Sequence, residues 1–76
     1  MELEKKELTD AFLVAYLSLQ GFQITPKKKE RLVVFEVSGN GLSEAIEGFY
    51  QNHSIPIIDF CKSYRTIRSA IFNLRG

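Results

Sequence analysis

Cysteine and histidine each occur once, as Cys61 and His53, and tryptophan is absent. A single thiol closes no disulfide within the chain. One cysteine with one histidine cannot assemble a zinc site of four cysteines, or of two cysteines and two histidines. No metal and no cofactor is expected. Net charge is also nearly missing: ten Lys and Arg against nine Asp and Glu leave +1. There is thus no global attraction for nucleic acid or membrane, and any basic signal must be local. The charge-free run 11–20 is shorter than the about 20 residues that cross a bilayer. Residues 1–8 have neither the basic start nor the apolar stretch of a secretory leader. A lone cysteine fits a reducing, cytoplasmic setting.

What is present is the composition of an ordinary folded domain, 45% hydrophobic and 25% charged over 76 residues. A core of this size supplies only about 3–5 kcal/mol, and small proteins often add a disulfide, a metal or a partner subunit. With the first two excluded, association is expected, either as a homodimer or with a protein partner.

The strongest periodicity lies in 57–74. Ile57, Phe60, Tyr64, Ile67, Ile71 and Leu74 fall three and four apart, which places them on one face of a helix. Cys61 and Phe72 widen that stripe, and Asp59, Lys62, Thr66, Ser69 and Asn73 lie opposite. Pro56 suits the start of this helix, where its missing N–H costs nothing. Upstream, residues 1–8 form a charged lead-in, frayed or helical, and 9–75 form one α+β domain. Thr9 is placed to cap a helix over 10–20, with Asp10 in its first turn and Leu8 and Leu13 spaced as a hydrophobic staple. That helix is apolar on nearly every side, and Val14 is assigned to a second subunit because a helix greasy all round must be covered all round. Gly21 is a natural helix terminator, with Phe22 reaching back to Leu17.

Residues 22–25 and 31–38 alternate with a period of two around the polar loop 26–30, a hairpin pattern. Val33, Phe35 and Val37 should face the helices. Leu32, Val34 and Glu36 point the other way, and the apolar pair Leu32 and Val34 joins Val14 as a candidate dimer face. Gly39-Asn40-Gly41 ends the strand, and Asn40 or Gly41 caps a helix over 42–51 with Leu42, Ala45, Ile46, Phe49 and Tyr50 inward and Glu44 and Glu47 outward. The link 51–55 offers a short third strand. The order expected is α-β-β-α-α, an antiparallel hairpin packed on three helices.

The first helix ending in glycine (AYLSLQGF), the strand VVFEV, the pair Phe49-Tyr50 and the last helix (FCKSYRTIRSAI) together resemble a family of small bacterial and phage proteins that carry a domain of unknown function. In that family an aromatic position precedes a basic, hydrophobic, basic run, and Phe60 with Arg65-Thr66-Ile67-Arg68 matches it. The resemblance covers 9–74 and departs at Ile55-Pro56-Ile57-Ile58, which is more apolar than the family's polar entry. It implies this fold and no activity.

Chemistry-bearing residues are few. Lys27, Lys28, Lys29 and Arg31 cluster at the hairpin tip, and Lys62, Arg65 and Arg68 climb one flank of the last helix, with Arg75 at its end. These are candidate phosphate or partner contacts, lysines as point charges and arginines as bidentate donors. The competing explanation is a wet hairpin tip and cations complementing a helix C-terminus. Arg68 falls beside the apolar stripe, where a structural ion pair with Glu36 or Glu47 is expected. Cys61 is expected to pack in the core, as free cysteines do. Asn52-His53-Ser54 is a glycosylation sequon only in a secreted protein, and Gly39-Asn40-Gly41 lacks the length and lysine of a phosphate loop. Tyr16, Tyr50 and Tyr64 fall on core stripes, so core packing precedes base stacking. The leading expectation is a small, non-catalytic, homodimeric interaction domain; the alternative is nucleic-acid binding through the lysine tip and the basic helix flank.

Overall fold

A computed structural model describes residues 3–75 of the chain. Its elements are β1 (Glu4–Leu8), α1 (Ala11–Leu19), β2 (Gln23–Lys29), β3 (Leu32–Gly39), α2 (Leu42–Tyr50) and α3 (Ile57–Arg75). The fold is α+β: an antiparallel sheet carries three helices on one face, in the expected α-β-β-α-α order from Ala11 onward. One element was not expected. Residues 4–8, read as a frayed or helical lead-in, form an edge strand, so the sheet runs β1-β3-β2. The third strand therefore comes from the lead-in, and 51–55 is a link without strand.

Helix α1 is the centre of the core. Leu13, Val14, Ala15, Tyr16 and Leu17 are all buried, and five consecutive residues point to every side of a helix. The chain covers all these sides by itself. Phe35, Val37 and Val33 come from the sheet, Leu42 from α2 and Ile67 from α3, in one contiguous cluster. Val14 is fully enclosed, so its assignment to a second subunit is corrected: its own chain covers it, with α3 the principal neighbour of α1. Asp10, not Thr9, caps α1, its carboxylate accepting from the N–H groups of Phe12 (3.0 Å) and Leu13 (3.3 Å). The other end closes as anticipated. The Phe22 N–H donates to the Leu17 carbonyl and the Gly21 N–H to that of Ser18, with Gly21 at φ 97°, the Schellman geometry that favours glycine.

The hairpin is tighter than expected. Both strands extend to a two-residue turn, Glu30-Arg31, so Lys27, Lys28 and Lys29 lie in β2 rather than in a loop. Register sorts the faces. Leu8, Phe35 and Pro26 are aligned across the sheet, as are Lys6, Val37 and Ile24, and this is the helix-covered face. The opposite face carries Glu7, Glu36 and Thr25 in one row, with Val34 opposite Lys27 and Leu32 opposite Lys29.

Strand β1 also completes α2. That helix starts at Gly41, which has φ 77° and no side chain to cap with. Glu4 supplies the missing acceptor: its carboxylate takes the Ser43 N–H at 2.9 Å and the Ser43 hydroxyl at 2.6 Å. A carboxylate at a helix N-terminus satisfies an orphan donor and complements the dipole.

Phe35 is fully buried at the centre of this arrangement. Truncating a buried phenylalanine costs about 3–5 kcal/mol, as much as a core of this size supplies. Phe35→Ala is therefore expected to be largely unfolded at 25 °C by circular dichroism, whereas Phe35→Leu retains a cooperative urea transition.

Candidate interaction surface

Two surfaces hold the residues singled out above, and they differ in how their charges are used. On the open face of the sheet the cations are engaged by carboxylates. Lys27 meets Glu36 at 2.8 Å, Lys5 meets the same carboxylate at 3.6 Å, and Lys29 meets Glu7 at 2.7 Å. Lys29 starts at the level of Leu32 on one edge strand and Glu7 lies at the level of Glu36 on the other. The line between them crosses β3 at Val34. Val34 is accordingly only 8% exposed although it faces away from the helices, because lysine stems shield apolar surface while their heads stay wet. Val34 was expected in a dimer face; its own chain covers it. Leu32, beyond this network, is 64% exposed.

The hydrogen bond from Lys27 holds the Glu36 carboxyl below its ordinary range; partial loss of water opposes this, and the charges of Lys27 and Lys5 add to the lowering. Reciprocally, the hydrogen bond to Glu36 raises Lys27. The Ser43 hydroxyl, then the Ser43 N–H, lowers Glu4.

Helix α3 carries the other surface. Ile67 is its one buried residue among those described, and Ser63 anchors it, donating its hydroxyl to the Ala15 carbonyl at 2.8 Å. This contact pulls the Ser63, Ile67, Ala70 and Leu74 side of the helix toward α1. The stripe expected to be buried is thereby rotated. Ile57, assigned to the core face, is 66% exposed; Ile58 and Phe72 are 65% and 78% exposed. Cys61, expected to pack inside, is exposed. Tyr64 stays half-buried, stacked on Phe12 at 4.6 Å between ring centres and approached by Phe60 at 6.4 Å.

Arg68 also departs from expectation. It pairs with neither Glu36 nor Glu47; its guanidinium donates to the Tyr64 hydroxyl at 3.1 Å and lies 5.8 Å from that ring's centre. One turn is the reason: residues four apart on a helix are neighbours, and Glu36 is already held by lysines. Lys62, Arg65 and Arg75 are exposed on the same helix. No ion pair involves these four cations among the described residues. Arg68, Ile71, Phe72 and Arg75 line an open cleft of about 660 Å3.

Other signals stay apart from this surface. Lys28 and Arg31 are exposed at the hairpin tip. His53 is exposed in the link after α2, with its ring nitrogen 3.5 Å from the Tyr16 hydroxyl. Tyr50, placed on the inward stripe of α2, is 69% exposed, while Phe49 packs edge-on against Tyr16. Sequence reasoning missed Phe12 and Ile58 as surface residues and Ser63 as an anchor. The available signal was a small hydroxyl residue within the core side of the wheel, able to bring two helices close.

No family model, no curated protein and no solved structure matches the chain. No helix among the described residues is long and apolar enough to cross a membrane.

These geometries set the response to acid and to surface substitution. Glu36 is lowered in the folded state, so its contribution to stability is present above the ordinary carboxylate value of 4.5 and is lost as pH falls through the lower folded value. Lys27→Met should flatten that acid-side loss in urea midpoints measured from pH 6 down to pH 3. Because Phe72 is exposed, Phe72→Ser should change unfolding free energy by no more than about 0.5 kcal/mol in the same assay, which separates this position from the core.

Proposed function

We propose that this chain is a small non-catalytic interaction domain whose binding face is the exposed flank of α3. The observation that carries the reading is a 19-residue helix with Ile67 alone buried, its exposed flank bearing Ile57, Ile58 and Phe72. Single exposed apolar residues are ordinary, but a strip of large ones along one element marks a contact site. The face named here replaces Val14 and Val34, both covered by their own chain, and leaves Leu32 as a lesser exposed point. The family resemblance adds a fold and no partner.

Nucleic-acid contact is a second reading, supported by the unpaired cations Lys62, Arg65, Arg68 and Arg75. It draws less from the hairpin, where Lys27 and Lys29 are engaged with carboxylates. Such binding would weaken steeply with salt.

A photo-crosslinking residue placed at position 72, and separately at Thr25 on the open sheet face, tests the leading reading in the native cells. Discrete protein adducts are expected from position 72 and not from 25, and they should disappear with Ile57→Asp. Adducts from 25 alone, or from neither position, would overturn it.

A further inference from the structure

We infer that the α3 flank docks an acidic amphipathic helix belonging to another protein. This rests on the reading of that flank as the binding face, and it names the chemistry of the occupant.

Area comes first. The chain exposes 5503 Å2, against about 4,700 Å2 for a compact monomer of its mass. The excess of about 800 Å2 is spread over the whole surface, and Ile57, Ile58 and Phe72 of α3 are among the large apolar residues it leaves exposed. The molecule is a slab of 33 × 32 × 17 Å, and its helix layer ends in the unpartnered flank of α3.

Charge selects the occupant. Arg65, Arg68 and Arg75 lie on the exposed strip, and Lys62 lies between that strip and Asp59, the helix's one acid, which is off the strip and three residues from Lys62. Elsewhere the same chain pairs Lys5, Lys27 and Lys29 with carboxylates. The α3 flank is thus cationic and apolar with no compensating acid on it. A second copy meets it badly: a two-fold pairing of α3 with itself sets arginines against arginines, which costs affinity. Nucleic acid would satisfy the guanidinium groups but would bury Ile57, Ile58 and Phe72 against phosphate. An acidic, apolar surface satisfies both.

Spacing selects a helix. Arg65, Arg68 and Arg75 stand three and seven residues apart, so Arg68 and Arg75 are separated by about 10.5 Å along the axis. A partner helix has the same rise, and carboxylates three, four and seven apart on it fall opposite these guanidiniums. Apolar residues between those carboxylates would pack on Ile71 and Phe72, which line the cleft. Arg68 is already steadied by the Tyr64 hydroxyl and ring, which lowers the ordering cost of engaging a carboxylate.

The test uses the full chain and a synthetic helical peptide of about 20 residues, long enough to hold a helix, with leucine on one face and glutamate at those spacings. A second peptide has glutamine for every glutamate, and a third has lysine. By fluorescence anisotropy the acidic peptide is expected to bind with Kd of about 10–100 μM. Binding should weaken between about 50 and 200 mM salt, and the glutamine peptide should bind at least tenfold more weakly. Arg65→Glu with Arg68→Glu should abolish binding of the acidic peptide and create binding of the lysine peptide. Reaction of the Cys61 thiol with a disulfide reagent should slow when the acidic peptide is bound. No binding at about 1 mM, equal binding of the glutamine peptide, or acidic binding that survives the charge reversal would each overturn the proposal. So would a dimer in light scattering that Phe72→Ser dissolves, or a DNA oligonucleotide or anionic phosphatidylserine vesicle that outcompetes the acidic peptide. If adducts form from position 72 while the acidic peptide fails, the partner chemistry is wrong and the binding face stands. If neither occurs, the face itself is wrong.

Discussion

Enclosing α1 is the constraint from which the rest of the arrangement follows. A nine-residue helix without a charged side chain must lose water on every side, and burying a phenylalanine- or leucine-sized side chain is worth about 1.5–3 kcal/mol. The two-stranded hairpin is narrow for that task. Residues 4–8 add a third strand beside β3, and Leu8 joins the hydrophobic cluster from it. Glu4 in the same strand ties α2 down through Ser43. Helix α3 then closes the last side, fixed by the short contact between Ser63 and Ala15. Enclosure uses one side of α3 and leaves the other to solvent, so the exposed flank is a by-product of the core's own demand.

Much of the fold was legible because α2, α3 and β3 follow the period of their element, while α1 is marked by its caps and its unbroken apolar run. The glycine end of α1, the helix-facing set Val33, Phe35 and Val37, and the stripe of α2 up to Phe49 all follow from local rules. Strand β1 was not legible for a physical reason. Glu-Lys-Lys-Glu-Leu has no apolar alternation; it is strand only because β3 offers it hydrogen bonds, and charge suits an edge that must not recruit another chain. Val34 failed for a related reason. Its cover depends on which lysine reaches which glutamate across three strands, and that register is not written in the residues around it.

The exposed flank of α3 was half legible. The wheel of α3 identified the residues of the stripe but not which edge of it would be buried. The buried edge is the one that carries Ile67 and on which the Ser63 hydroxyl meets a backbone carbonyl of another helix. Arg68 likewise resolved locally, onto Tyr64 four residues back, instead of across the fold. Long-range pairing is what local patterns convey least, and Val14, Val34 and Cys61 were misplaced for that reason.

The order of these elements along the chain also bears on synthesis. Of the six, the helix that seals α1 is the last to be made, and the strand that widens the sheet is the first. Until residues beyond 57 have been made and have folded, the segment around Val14 and Leu17 lacks the helix that closes its last side. The nascent chain therefore passes through a stage in which its most apolar helix is open on one side, and the helix that ends that stage itself keeps Ile57, Ile58 and Phe72 exposed.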